Sequence, residues 1–208
     1  MKKSFFMIII YLFLCGVNLN AQFNVWGNLG LNYSTFKTSN NDVFDITPKY
    51  GVNVGVGLPY SFNKYFSVEP EVNIAQKGAR LVGMIPNASA YFDDYDIKLT
   101  YLEMPVSLKT MIEYKNVVYF LKGGFYFDVS IWTNEEIRSG NVVSHTKSPN
   151  IDRPFDYGLQ GGIGVELNKK ISVQSRLYYG LYNITNFYNS NEHYSNFAIN
   201  LSVGYKFR

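Results

Sequence analysis

The 208-residue chain has almost no cysteine, little histidine and, past its first fifteen residues, no long apolar run. Cys15 is its one cysteine and stands inside the N-terminal apolar segment. If that segment is removed on export, the remaining protein has no disulfide, no thiol nucleophile and no thiolate metal site. Only His145 and His193 could serve as imidazole bases or ligands. No apolar stretch reaches the ~20 residues that a spanning helix requires. Strong charge of either sign is missing too: 19 basic residues stand against 16 acidic ones. Loss of Lys2 and Lys3 with a leader brings the basic count to 17, so the net charge falls from +3 to about +1. That balance gives no support to nucleic-acid binding or to a polybasic membrane anchor.

The N-terminus reads as a secretory signal peptide. Lys2 and Lys3 precede an apolar core from Phe5 to Cys15, and Asn18-Leu19-Asn20-Ala21 forms a small-ended cleavage region. Cleavage after Ala21 assigns residues 1–21 to the leader and 22–208 to a single domain. The bulky Leu14 before Cys15 argues against a lipoprotein signal.

Aromatics, by contrast, are plentiful. They make up 17% of the chain, with 18 tyrosines and 16 phenylalanines. Such rings suit the two interfaces of a membrane. The rest of the chain alternates apolar and polar residues in short stretches, the signature of strands whose successive side chains face opposite sides. Eight strands are expected: Phe23–Phe36, Lys49–Ser61, Tyr65–Arg80, Tyr95–Glu113, Val117–Thr133, Arg153–Leu167, Lys170–Tyr182 and Tyr194–Arg208. In the fourth, Ile97 and Leu99 fall out of step with Leu102, Met104 and Val106, which calls for a bulge near Tyr101.

Tight turns at Phe62-Asn63-Lys64, Tyr114-Lys115-Asn116 and Asn168-Lys169 alternate with long gaps at Lys37–Pro48, Leu81–Asp94, Asn134–Asp152 and Asn183–His193. Short turns on one side and long loops on the other describe an outer-membrane barrel, with the long loops outside the cell. A soluble eight-stranded barrel is the competitor, but it would put large apolar residues inside and charge outside. Here the charged face also carries the glycines Gly30, Gly55, Gly57, Gly124, Gly162, Gly164, Gly180 and Gly204, which suits a narrow polar interior. The expected fold is therefore all-β, an eight-stranded antiparallel transmembrane β-barrel.

One constellation stands out on the inward face. Glu69, Glu71, Glu103, Asp128, Asp156 and Glu166 share it with Lys77, Lys109, Lys122, Arg176 and Lys206. Unpaired charge in a dry lumen is costly, so these groups are expected to pair and plug the interior. A polar conduit for small solutes is the alternative. Catalysis has little behind it. Ser144, His145, Asp152, Asp156 and His193 could furnish a base and a nucleophile at the outer rim, but two loop histidines among many polar residues arise easily by chance. Asp93, Asp94 and Asp96 could attract a divalent cation, though a solvated acidic loop explains them as well. Gly55-x-Gly57 and Gly162-x-Gly164 lack dinucleotide spacing and a following helix. Asn87-Ala88-Ser89 and Asn183-Ile184-Thr185 match a glycosylation acceptor by coincidence. No cofactor is expected.

Several motifs resemble a known family. Tyr101-Leu102-Glu103-Met104-Pro105-Val106-Ser107-Leu108-Lys109 is similar to the "YLEIPLLLK" stretch of the PorT-like outer-membrane β-barrel proteins of Bacteroidetes. Glu69-Pro70-Glu71 with Gln76-Lys77-Gly78 resembles the preceding strand, and Asp156-Tyr157-Gly158-Leu159 with Gly162-Ile163-Gly164-Val165-Glu166 resembles a later one. The opening Gly27–Asn32 and the closing Val203–Phe207 also match, so the likeness covers the mature chain. It implies an outer-membrane location. The family's namesake is an accessory of type IX protein secretion; most members have no assigned activity. Implied partners are outer-membrane lipid, the barrel assembly machinery and envelope or secretion complex proteins. Tyr205 and Phe207 resemble the aromatic-ended last strand that assembly machinery reads, although Arg208 follows. The expected role is non-enzymatic.

Overall fold

The computed structural model describes residues 24–38, 45–84, 91–139, 142–148, 155–184 and 194–207. Side chains at 83–84, 91–93, 139, 142 and 146–148 lie outside that description, as do the expected leader and Phe23. The strand segments are β1 (Trp26–Thr38), β2 (Asp45–Gly57), β3 (Tyr60–Ser61), β4 (Phe66–Met84), β5 (Tyr91–Tyr114), β6 (Val117–Ser139), β7 (Val142–Ser148), β8 (Phe155–Leu167), β9 (Ile171–Gly180) and β10 (Tyr194–Lys206).

All pairings are antiparallel. The order β2-β1-β10-β9-β8-β6-β5-β4 closes through a β2–β4 pairing, so eight strands form the ring. Closure leaves no free edge within the ring, which is what a sheet crossing lipid needs. The two-residue β3 continues beside β4 after an interruption at Leu58-Pro59. Pro59 has no N–H for a ladder bond, which accounts for the break in the expected Lys49–Ser61 strand. β7 lies off the ring and pairs with β6.

Burial decides between the two barrel types. Leu29 is 65% exposed and Phe125 69%, while Glu103, Asp128 and Asp156 are 0% exposed. Apolar residues outside and charge inside are the reverse of a soluble barrel and fit a lipid-facing wall. Exposed rings form two bands. Tyr60, Phe62, Tyr65, Tyr114, Tyr119, Tyr205 and Phe207 stand near the tight turns, while Tyr33, Tyr50, Phe127, Trp132, Phe155, Tyr157 and Tyr179 stand toward the long connections. Tyr205 and Phe207 pack edge to face at 5.4 Å. These bands lie where interfacial rings sit.

The tight turns need left-handed backbone. Lys115, Asn168 and Lys169 have φ of 55°, 50° and 56°, values suited to the two-residue hairpins whose twist matches the strands. At the opposite end the strands run further than expected. β4 reaches Met84, β5 starts at Tyr91, and β6 continues to Ser139 before returning as β7. Parts of three expected loops are thus strand. A tilted strand crosses lipid in ~9–11 residues, so β5 and β6, at 24 and 23 residues, extend well past the span. On this extension Arg80 Nε donates to Asp94 Oδ1 at 2.9 Å and Arg138 Nε to Glu136 Oε1 at 2.6 Å. Those bonds hold both carboxyls below the usual carboxylate range.

The expected bulge exists, but in the partner strand. Thr100 pairs with Trp132 and Tyr101 with Ser130, which leaves Ile131 of β6 as the extra residue. β5 keeps one parity throughout, so Ile97 and Leu99 face inward with Tyr101 and Glu103. Apolarity therefore did not mark the lipid side at this end of the strand.

Candidate functional site

The lumen is built in layers from the tight-turn end to the loop end. In the lowest layer Lys122 Nζ lies 2.9 Å from Glu69 Oε2 and 3.5 Å from Glu71 Oε1. Lys109 Nζ pairs with Glu166 and lies 3.8 Å from Glu69 Oε2. The Phe120 ring lies beneath both ammonium groups, at 4.3 Å from Lys109 Nζ and 5.4 Å from Lys122 Nζ. Glu69, Lys109, Lys122, Glu166 and Phe120, with Trp26, a lumen residue that alternation counting missed, line a small pocket at the mouth.

One layer up, Arg176 Nη1 donates to Glu71 Oε1 at 2.9 Å, and Asn28 Nδ2 donates to Glu71 Oε2 at 3.3 Å. Gly162 sits behind Arg176: a Cβ there would stand 2.7 Å from Arg176 Cγ. Room for the Arg176 stem is therefore a direct reason for that glycine.

The central layer is organised by Lys77. Its Nζ lies 2.6 Å from Glu103 Oε2 and 2.8 Å from Asp128 Oδ2, with all three side chains 0% exposed. The Tyr126 and Tyr178 rings each lie 4.6 Å from it, near enough for cation–π attraction. Tyr178 OH and Asn73 Nδ2 donate to Glu103 Oε1 at 3.1 and 3.2 Å. Strand register makes this layer: Glu103 is paired with Asp128 across β5–β6, and Asp128 with Asp156 across β6–β8. Asp156 accepts from Asn196 Nδ2 at 2.8 Å and from Tyr126 OH at 3.2 Å.

Above it the lumen turns apolar. Phe36, Ala79, Leu81, Ile97, Leu99, Tyr101, Ile184 and Tyr194 form one buried cluster, with Ile46, Tyr95 and Tyr182 packed against it. Sequence alternation did not assemble this cap: Leu81 and Ile184 fall in expected loops, and Ile97 and Leu99 are out of step with the rest of their strand. The contradiction in parity at Ile97 and Leu99 was the signal that could have revealed it.

The structure thus brings together ten of the eleven expected lumen charges. Lys206 is the exception. It is half-buried at the mouth, opposite Trp26 in the register, and makes no ion pair among the described residues. The strand ends there, too low for the side chain to reach the network. Six acids consequently share four bases. At the outer rim, His145 belongs to β7 instead of a loop, with Nδ1 3.6 Å from Glu136 Oε2. Ser144 and His145 are strand neighbours and point to opposite faces. Asp152 and His193 lie outside the described residues. Asp94 and Asp96 are bonded to Arg80 and Lys49, and among the described residues no group of three metal-ligating side chains forms.

The profile of an outer membrane protein β-barrel domain matches residues 18–186. The chain belongs to that family. It is an outer-membrane barrel, with its tight turns on the periplasmic side by the topology of such barrels. No curated protein matches the sequence. Similar solved structures include OprG of Pseudomonas aeruginosa, at 12% identity, 90% of this chain, 97% of that chain and a TM-score of 0.48. The attachment invasion locus protein Ail of Yersinia pestis, solved with a heparin analogue, is 14% identical over 89% of this chain and 99% of that one, with a TM-score of 0.46. Neisserial surface protein A gives 14%, 88%, 97% and 0.45.

Proposed function

We propose that this barrel is a non-enzymatic structural or interaction protein of the cell envelope, closed to solutes and working through what it presents at its loop end. The observation carrying this reading is the filled lumen: the Lys77–Glu103–Asp128 layer and the apolar cluster above it are both buried among inward-facing side chains. Eight-stranded barrels are narrow enough for side chains to fill them, whereas water-filled channels belong to barrels of ~16 strands. Breaking several fully buried ion pairs to admit a solute would be costly. The β5–β6–β7 sheet rising past the span supplies a rigid outer surface for a partner. The PorT-like motifs at Tyr101–Lys109 and Glu69–Gly78 make protein secretion the first envelope process to test.

Crosslinking of the tagged barrel in intact outer membrane, followed by mass spectrometry, tests this. Reproducible recovery of envelope or secretion-complex proteins is expected. Recovery of lipid and assembly machinery alone would count against a partner-bound role. A narrow solute channel is the second reading, favoured by the pocket at the periplasmic mouth.

A further inference from the structure

The near-neutral net charge conceals a strong local separation. The turns that end the barrel on its periplasmic side carry Lys64, Lys115, Lys169, Lys170 and Lys206, against Glu113 as their one outward acid among the described residues. Glu166 is also low in the barrel, but it turns inward to Lys109. Three of these segments are joined through their backbones. Asn168 N donates to Asn116 O at 3.2 Å, and Lys206 N donates to Lys170 O at 2.8 Å. The Tyr114–Val117 turn, the Asn168–Lys170 turn and the end of β10 therefore form one continuous rim.

The charges on that rim are not equivalent. Lys169 Nζ lies 2.8 Å from Glu113 Oε1, so its charge is answered within the protein. Lys115, Lys170 and Lys206 have no carboxylate within 4 Å among the described residues. Lys115 Nζ lies 5.5 Å from the Tyr114 ring centroid, and Tyr114 is 63% exposed in the lower aromatic band. That places the ammonium at the level where rings meet headgroups. Left-handed backbone at Lys115 fixes the turn that carries it. Unanswered cations beside interfacial rings attract membrane phosphate.

We infer that Lys115 and Lys170 form a binding surface for the phosphate groups of anionic phospholipid in the periplasmic leaflet, with Glu113 restraining Lys169 from joining it. The surface is separate from the lumen network and from the loop end.

The test uses the full barrel in nanodiscs of phosphatidylcholine containing a minor share of phosphatidylglycerol. Native mass spectrometry then reads which lipid stays bound on release. The wild type should retain phosphatidylglycerol in preference to phosphatidylcholine. The double variant Lys115→Gln, Lys170→Gln should lose about tenfold of that preference, and the corresponding double Arg variant should keep it. Glu113→Gln, which frees Lys169, should raise it. Raising salt should weaken the wild-type preference, a readout that needs no variant to fold. No preference in the wild type, or the same preference in the Gln variant, would overturn the proposal. So would a wild-type preference insensitive to salt.

Discussion

The two halves of the lumen share the same inward parity and the same closed wall, yet they are filled by opposite chemistry. The periplasmic half holds ten ionisable side chains, and the loop-end half holds an apolar cluster from Phe36 to Tyr194. In the lower half every charge has lost water and depends on a partner at a set distance. In the upper half burial itself is favourable and individual contacts are exchangeable. The lower half therefore specifies register, and the upper half provides a dry lid. A charged half should respond to single substitutions more sharply than an apolar one, and its effects should be coupled.

Lys77→Met is expected to do the most damage. It leaves Glu103 and Asp128 buried with no cation in their layer, a loss of about 3–5 kcal/mol in reversible unfolding from detergent micelles. A double-mutant cycle sharpens the contrast. Lys77→Met combined with Glu103→Gln should fall well short of additive, because the two groups share one bond network. Leu99→Ala in the apolar lid should cost about 2–4 kcal/mol by cavity formation. Its effect should add to that of Glu103→Gln, since no hydrogen bond joins the two layers through Leu99. Tyr126→Phe removes one of the two side-chain donors to Asp156 and should cost about 1–2 kcal/mol, leaving Asn196 as its remaining side-chain donor. Lys206→Ala should change stability by no more than about 0.5 kcal/mol, because its charge is outside the network. If Lys206→Ala proved as damaging as Lys77→Met, the boundary drawn here around the lower half would be wrong.

Alternation was enough to read the ring, because in a barrel one parity meets lipid and the other does not. It also placed Glu69, Glu71, Lys77, Glu103, Asp128, Asp156, Glu166 and Arg176 on a common face, since each lies two or four residues from another polar or glycine position of its strand. The bulge was legible as a conflict of parity at Tyr101. Its strand was not, because either partner can absorb an extra residue and only the Thr100–Trp132 and Tyr101–Ser130 pairs decide. The lid was invisible for a related reason: Leu81, Ile97 and Leu99 look like lipid-facing residues to any reading that equates apolar with outside. Lys206 was misplaced because parity gives a face but not a height. The pairing of the charges depends on strand stagger, which sets that height and which no single strand encodes.

Conductance of the purified wild-type barrel in planar bilayers, beside Lys77→Met, tests the sealed lumen most directly. A plugged interior gives no steady ion current in the wild type, and current appears only when the charged layer is broken. Steady, ion-selective steps in the wild type, unchanged by Lys77→Met, would contradict it.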